Sequence, residues 1–201
     1  MNHPSDRPLI LASTSLYRRQ LLERLRLPFT VVAPNVAEAR LPHETPAQMA
    51  CRLALAKARA VAEGTPGSVV IGADQVADLN GTALGKPGGH GPAVAQLQAM
   101  RGQTVVFQTA ASVVCLATGF EQTELAQVKV RFKPLKYLSD AQIEAYLRAE
   151  TPYDCAGSAK SEGLGIALLE SIDSDDPTAL VGLPLICTCR LLLAAGLQIL
   201  P

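Results

Sequence analysis

The stretch PLILASTSLYRRQLLERL, Pro8 to Leu25, restricts the fold more than any other part of the chain. An apolar, β-rich run gives way to small hydroxyl residues and then restarts with helical spacing, the pattern of a strand-turn-helix unit. Runs of both kinds alternate along the whole chain, with neither an internal repeat nor a low-complexity linker. That predicts an α/β architecture in a single domain over residues 1–201. FTVVAP (Phe29 to Pro34) reads as a second strand, followed by a polar loop with Glu38, Arg40, His43 and Glu44. Thr45 caps a helix with Pro46 at its first position, an apolar stripe of Met49, Leu53, Ala56 and Ala60, and a stop at Gly64. SVVIGAD (Ser68 to Asp74) reads as a strand, and Asn80-Gly81 is a two-residue hairpin signal between QVADL and TALG. A helix from Pro92 to Met100 and strands TVVFQT and SVVCLA follow. In TELAQVKVRFKPL, Val128, Val130 and Phe132 alternate with Lys129, Arg131 and Lys133, which marks a half-exposed strand. Ser139 and Gln142 cap a helix that runs to about Ala149, and Pro184 starts the last helix, ending near Gly196.

Composition limits what such a fold can serve. A hydrophobic content of 48% excludes disorder, and 18 basic against 18 acidic residues leave no field for bulk binding of nucleic acid or anionic membrane. The five cysteines are odd in number and lack CxxC spacing, and His3, His43 and His90 lie far from them, which argues against a zinc or disulfide framework. The polar start MNHPSDRP lacks a signal-peptide design, and the longest apolar run, near Leu183 to Leu200, is short for a membrane span. A cytoplasmic location is expected.

Two arginines in the first turn of a helix oppose its dipole unless an anion is near. With Ser13, Thr14 and Ser15 just before them, Arg18 and Arg19 either meet a phosphate at the strand-to-helix turn or pair with Glu23. Lys57 falls at the edge of its helix stripe, either as a snorkelling stem or as a site residue. Asp74 closes an apolar strand, where it either makes an Asx turn or holds a cation or water. Lys86, just past the hairpin, is either solvated or a phosphate ligand. Small residues and glycines around Lys160 and Glu162 in YDCAGSAKSEGLGIALLE fit a backbone that passes close to a ligand.

LILASTSLYRRQLLERL, LALAKARAVA, VVIGADQV with GKP, QTA, and CAGSAKSEGLGI followed by VGLPL together resemble the ordered motif set of the Maf family of nucleotide pyrophosphatases, over nearly the whole chain. The resemblance implies an elongated mixed β-sheet flanked by helices, with two lobes around a central cleft, usually as a homodimer. It implies hydrolysis of a nucleoside triphosphate between the α and β phosphates, with Mg²⁺ or Mn²⁺. It implies Asp74 as proton acceptor with Lys57 and Lys86, phosphate contacts from Ser13, Ser15 and Arg18, and metal ligation by Glu38 and Asp74. Three positions depart from the family pattern. Leu16 replaces a frequent proline, Ala37 lacks a carboxylate often paired with Glu38, and Ala110 replaces a glycine, which disfavours any backbone there that needs φ > 0.

Within the family, an aromatic at Tyr17, Gln75 after the aspartate and AGSAKSEG ending in Glu162 resemble the branch acting on 7-methyl-GTP; the dTTP/UTP branch and a non-catalytic nucleotide-binding regulator of cell division are the alternatives. Tyr17 either stacks on the cationic methylated base or packs in the core. Glu162 either accepts from guanine N1–H and N2–H or caps a loop.

Overall fold

The computed structural model describes residues 7–200, so His3 and most of the polar start lie outside it. Seven strands form one mixed sheet: β1 (Leu9–Ala12), β2 (Phe29–Val32), β3 (Val69–Leu79), β4 (Thr82–Leu84), β5 (Thr104–Cys115), β6 (Phe120–Phe132) and β7 (Leu169–Ser174). Their order is β2-β1-β3-β5-β6-β7, with β4 also paired to β3. The helices are α1 (Leu16–Glu23), α2 (Pro46–Ala62), α3 (His90–Met100), α4 (Asp140–Glu150) and α5 (Leu185–Ala194). This is the α/β sheet that the alternating sequence predicts.

The strand register creates an opening. β1 pairs with β3 from Leu9↔Val69 only as far as Ala12↔Gly72, and β4 joins β3 only at Ala77↔Leu84 and beyond. Between these contacts β3 has one neighbour, β5, with Asp74 opposite Ala110 and Gln75 opposite Thr109. Asp74 therefore stands in the middle of an 11-residue strand, a correction to its reading as a strand end. TVVFQT and SVVCLA likewise merge into β5, because Ala110 and Ala111 continue the extended backbone between them, fully buried. Ala110 has no positive φ, so it fits without strain.

Period-two alternation then assigns the faces. Val70, Gly72, Asp74 and Val76 look toward α2. Val69, Ile71 and Ala73 pack with α1 and α5, while Ala77 joins Phe107, Leu97 and Leu147 of α3 and α4. The two larger apolar clusters thus occupy opposite ends of the same long strands. The Gln75–Thr109 row separates them.

Helix α2 begins with the Thr45–Gln48 capping box. Its buried face is Ala50, Leu53, Ala54, Lys57, Ala58, Val61 and Ala62. The stripe read from sequence was out of phase, since Ala60 is exposed and Met49 and Ala56 are only partly covered. Arg52, Arg59 and Glu63 share one side of α2 and the buried arc lies opposite them, but the charged Lys57 sits inside that arc and masks it in the sequence. Packing chose. A Cβ on Gly72 would lie 2.2 Å from Ala54 O and 2.6 Å from Ala58 N, so the helix backbone rests directly on the strand.

Candidate active site

The gap beside residues 73–76 of β3 opens into a cleft of about 810 Å³, within the usual range for a small-molecule site. Ser13 to Arg18 wall it at the end of β1, Lys86 approaches beyond β4, and α2 contributes Leu53 and Lys57 from one face. Residues 154–156, Glu162 and 180–182 close the other face.

At its floor, Lys57 bridges two carboxylates. Its Nζ lies 2.6 Å from Asp74 Oδ1 and 2.6 Å from Glu38 Oε1. Lys57 is 5% exposed and central in the buried face of α2, not a snorkelling lysine at its edge. Burial raises the Asp74 carboxyl above its usual range, against the opposing pull of Lys57 and Arg18. Glu38, more open, is held below the usual range by its hydrogen bond from Lys57, with Lys86 and Arg18 adding to the effect. Every fully buried polar side-chain atom among the described residues has a hydrogen-bond partner. Asp74 Oδ2, which has no such partner among them, is therefore open to the cleft.

The turn after β1 is built by its own hydroxyls. Ser13 Oγ accepts from Ser15 N at 3.1 Å, and Ser15 Oγ caps α1 by accepting from Arg18 N at 3.4 Å. Arg18 Nε donates to Gly182 O at 2.8 Å, which aims the guanidinium across the cleft toward Asp74 and Glu38. Arg19 points outward and pairs with Glu23 at 3.0 Å. Arg19 thus takes the helix-pair alternative, whereas Arg18 lines the cleft.

Tyr17 is half-buried and lines the cleft rather than the core. Gln75 donates to Thr109 Oγ1 at 3.0 Å and to the carbonyls of Ala179 and Leu180 at 2.9 and 3.0 Å, so its amide nitrogen is committed to the segment that carries Gly182. Glu162 is exposed at the rim. The structure brings the site residues that the resemblance implies, from Ser13 to Glu162, to one cleft.

Sequence reasoning missed the groups that hold the loops. Glu44 accepts from Arg52 Nε and Nη2 at 2.5 and 2.8 Å and from Leu41 N at 3.1 Å, while Arg40 donates to Glu44 O. This staples the loop bearing Glu38 onto α2. Asp176, 3% exposed, accepts from Ile186 N and Cys187 N at 2.8 and 3.2 Å, a cap for α5 supplied from ten residues upstream. Neither spacing is a local capping pattern, so only the fold could reveal them. No three His, Cys, Asp or Glu side chains cluster into a metal cage among the described residues; Glu38 and Asp74 are the carboxylates that converge in the cleft.

A family model described as Maf-like protein matches residues 8–195. The chain belongs to the Maf-like family. Among its relatives in this family, a protein of Albidiferax ferrireducens is 68% identical over 200 residues, covering 100% of this chain and 99% of the relative. One from Polaromonas sp. is 69% identical over 98% of this chain and 88% of its own length, and one from Burkholderia pseudomallei is 59% identical over 98% and 92%. Each of these Maf-like relatives bears the name 7-methyl-GTP pyrophosphatase.

Proposed function

We propose that this chain hydrolyses 7-methyl-GTP between the α and β phosphates, giving the nucleoside monophosphate and pyrophosphate. The observation that carries this reading is the Asp74–Lys57–Glu38 arrangement at the open edge of β3, faced by Arg18 and Lys86. The names of the relatives support the same substrate.

Arg18 and Lys86 hold the phosphate chain by charge, and Ser13 and Ser15 shape the turn beneath it. Asp74 accepts the proton of the attacking water. A carboxyl raised by burial is a stronger base than an ordinary aspartate, and Lys57 keeps it oriented at 2.6 Å. Glu38 and Asp74 fit a hard divalent cation, because both reach within 2.6 Å of one ammonium nitrogen. Mg²⁺ or Mn²⁺ needs only one or two carboxylates besides waters and phosphate oxygens. Bound there, the metal would neutralise phosphate charge and acidify a water. At the far end of the cleft, Tyr17 stacks on the cationic base and Glu162 accepts from its Watson–Crick edge. The zero net charge supports a small-molecule substrate rather than nucleic acid. A cytoplasmic homodimer completes the reading.

The test is a panel of 7-methyl-GTP, GTP, dTTP and UTP with Mg²⁺ or Mn²⁺, read as pyrophosphate release. The expected result is the highest kcat/KM for 7-methyl-GTP. A preference for dTTP or UTP places the chain in the pyrimidine branch, and binding without turnover makes it a regulator. Glu162→Gln turns one acceptor oxygen into a donor facing guanine's donors, worth about 0.5–1.5 kcal/mol at this exposed rim position. The loss is expected to be largest for 7-methyl-GTP and small for pyrimidines; an equal loss for all four removes Glu162 from base reading.

A further inference from the structure

Behind Tyr17 stands an ion pair that the proposed chemistry does not use. Lys160 Nζ lies 5.5 Å from the centroid of the Tyr17 ring and 2.9 Å from Glu150 Oε1. Both charged side chains are mostly covered, 24% and 16% exposed. Tyr17 lines the cleft, whereas Lys160 and Glu150 do not, so the ammonium meets the ring, and its hydroxyl, from outside the cleft.

The pair is itself fixed. Glu150 Oε2 accepts from Leu164 N at 2.8 Å, and Gly163 packs so closely that a Cβ there would lie 2.8 Å from either carboxylate oxygen. The backbone N–H of Lys160 donates to Tyr146 Oη at 3.0 Å, and that hydroxyl donates to Ser158 O at 3.2 Å. Ser158 is fully buried at φ 56, an uncommon conformation for a residue with a side chain. Its Oγ donates to Gln96 Oε1 at 2.6 Å. Fixed groups thus run from α3 and α4 to the back of one aromatic ring.

A cation over a ring draws on the same quadrupole that a second cation on the opposite face would use. Alone, Lys160 would oppose a positively charged base across Tyr17. Beside Glu150 it is half of a neutral pair. We propose that Glu150 and Lys160 are positioning, specificity-determining residues: Lys160 holds Tyr17 with one face toward the cleft, and Glu150 neutralises Lys160 so that this face accepts a cationic purine. The proposal rests on the reading that Tyr17 stacks on the nucleobase.

The experiment combines kinetics with ¹⁹F NMR of the full chain carrying 3-fluorotyrosine, the Tyr17 signal being assigned with Tyr17→Phe. Glu150→Gln leaves the lysine uncompensated and is expected to lower the 7-methyl-GTP to GTP ratio of kcat/KM by roughly three- to thirtyfold. Lys160→Met frees the ring, so KM rises for both purine nucleotides more than kcat falls, dTTP turnover changes little, and the Tyr17 resonance shifts or broadens. Lys160→Arg restores both readouts. An equal loss for all three nucleotides, or an unshifted Tyr17 resonance in Lys160→Met, overturns the proposal. Should Lys160→Met fail to fold, Glu150→Gln decides through the nucleotide ratio. A wild type that treats 7-methyl-GTP and GTP alike overturns base reading instead, and the NMR result then judges the positioning of Tyr17 by itself.

Discussion

Asp74 carries the residue-scale argument because its environment opposes its charge. Its folded pKa lies above the ordinary 3.8, chiefly through burial. A proton acceptor must be ionised, so kcat/KM is expected to fall as pH drops through this raised value, at higher pH than an unperturbed aspartate would give. Asp74→Asn is expected to cost about 10²–10⁴ in kcat. Linkage gives the stability sign: with the folded pKa raised, the contribution is present below pH 3.8 and is lost as pH rises through the folded value. The asparagine variant should therefore melt no lower than wild type at neutral pH. Normal turnover in a pyrophosphate-release assay would remove Asp74 from the chemistry. Lys57→Met removes the cation 2.6 Å from that carboxylate, so the acid limb of its residual activity is expected to move further up in pH. An unmoved limb would mean that Asp74 is not the titrating group.

Two element-scale devices deliver these side chains. The first is the contact of α2 with β3 at Gly72, which sets Lys57 over Asp74. Gly72→Ala puts a methyl 2.2 Å from Ala54 O, and backbone cannot yield as a flexible side chain can. The expected loss is at least about 1–3 kcal/mol of stability, with kcat falling as Lys57 separates from Asp74; calorimetry and kinetics on one sample check both. The second device is the Glu44–Arg52 staple of the loop bearing Glu38. Arg52 holds the Glu44 carboxyl at about 2, against an ordinary 4.5. A depressed folded pKa contributes stability above the unfolded value and loses it as pH falls through the folded one. Glu44→Gln is therefore expected to lower Tm at pH 7, with the difference from wild type shrinking between about pH 4.5 and 2. A constant difference across that window would deny the pair its role.

At the scale of the molecule, β3 and β5 run through both larger apolar clusters, Ile71 and Val113 at one end and Ala77 and Phe107 at the other. Neither cluster can unfold without breaking strands that the other uses. One cooperative thermal transition is expected, and Gly72→Ala should shift it whole. Two separate transitions would show that the cleft divides the chain energetically. Among the described residues no helix is long and apolar enough to cross a membrane.

The sequence determined what depends on short-range chemistry. Caps at Thr45 and Ser139, the Asn80-Gly81 hairpin and the strand-turn-helix start are local, because their hydrogen bonds close within a few residues. The motif set also named the residues that line the cleft. Only the tertiary structure decided the phase of α2, because the arc that rests on Gly72 contains the charged Lys57, whose burial depends on partners from distant segments. It also made β3 continuous through Asp74, since pairing with β5 sustains the strand where β1 has already ended. The partners of Lys57, Glu150 and Asp176 came from the fold for the same reason. A charge is buried beside whatever the packing of distant segments brings within about 3 Å, and such spacing leaves no period in the chain.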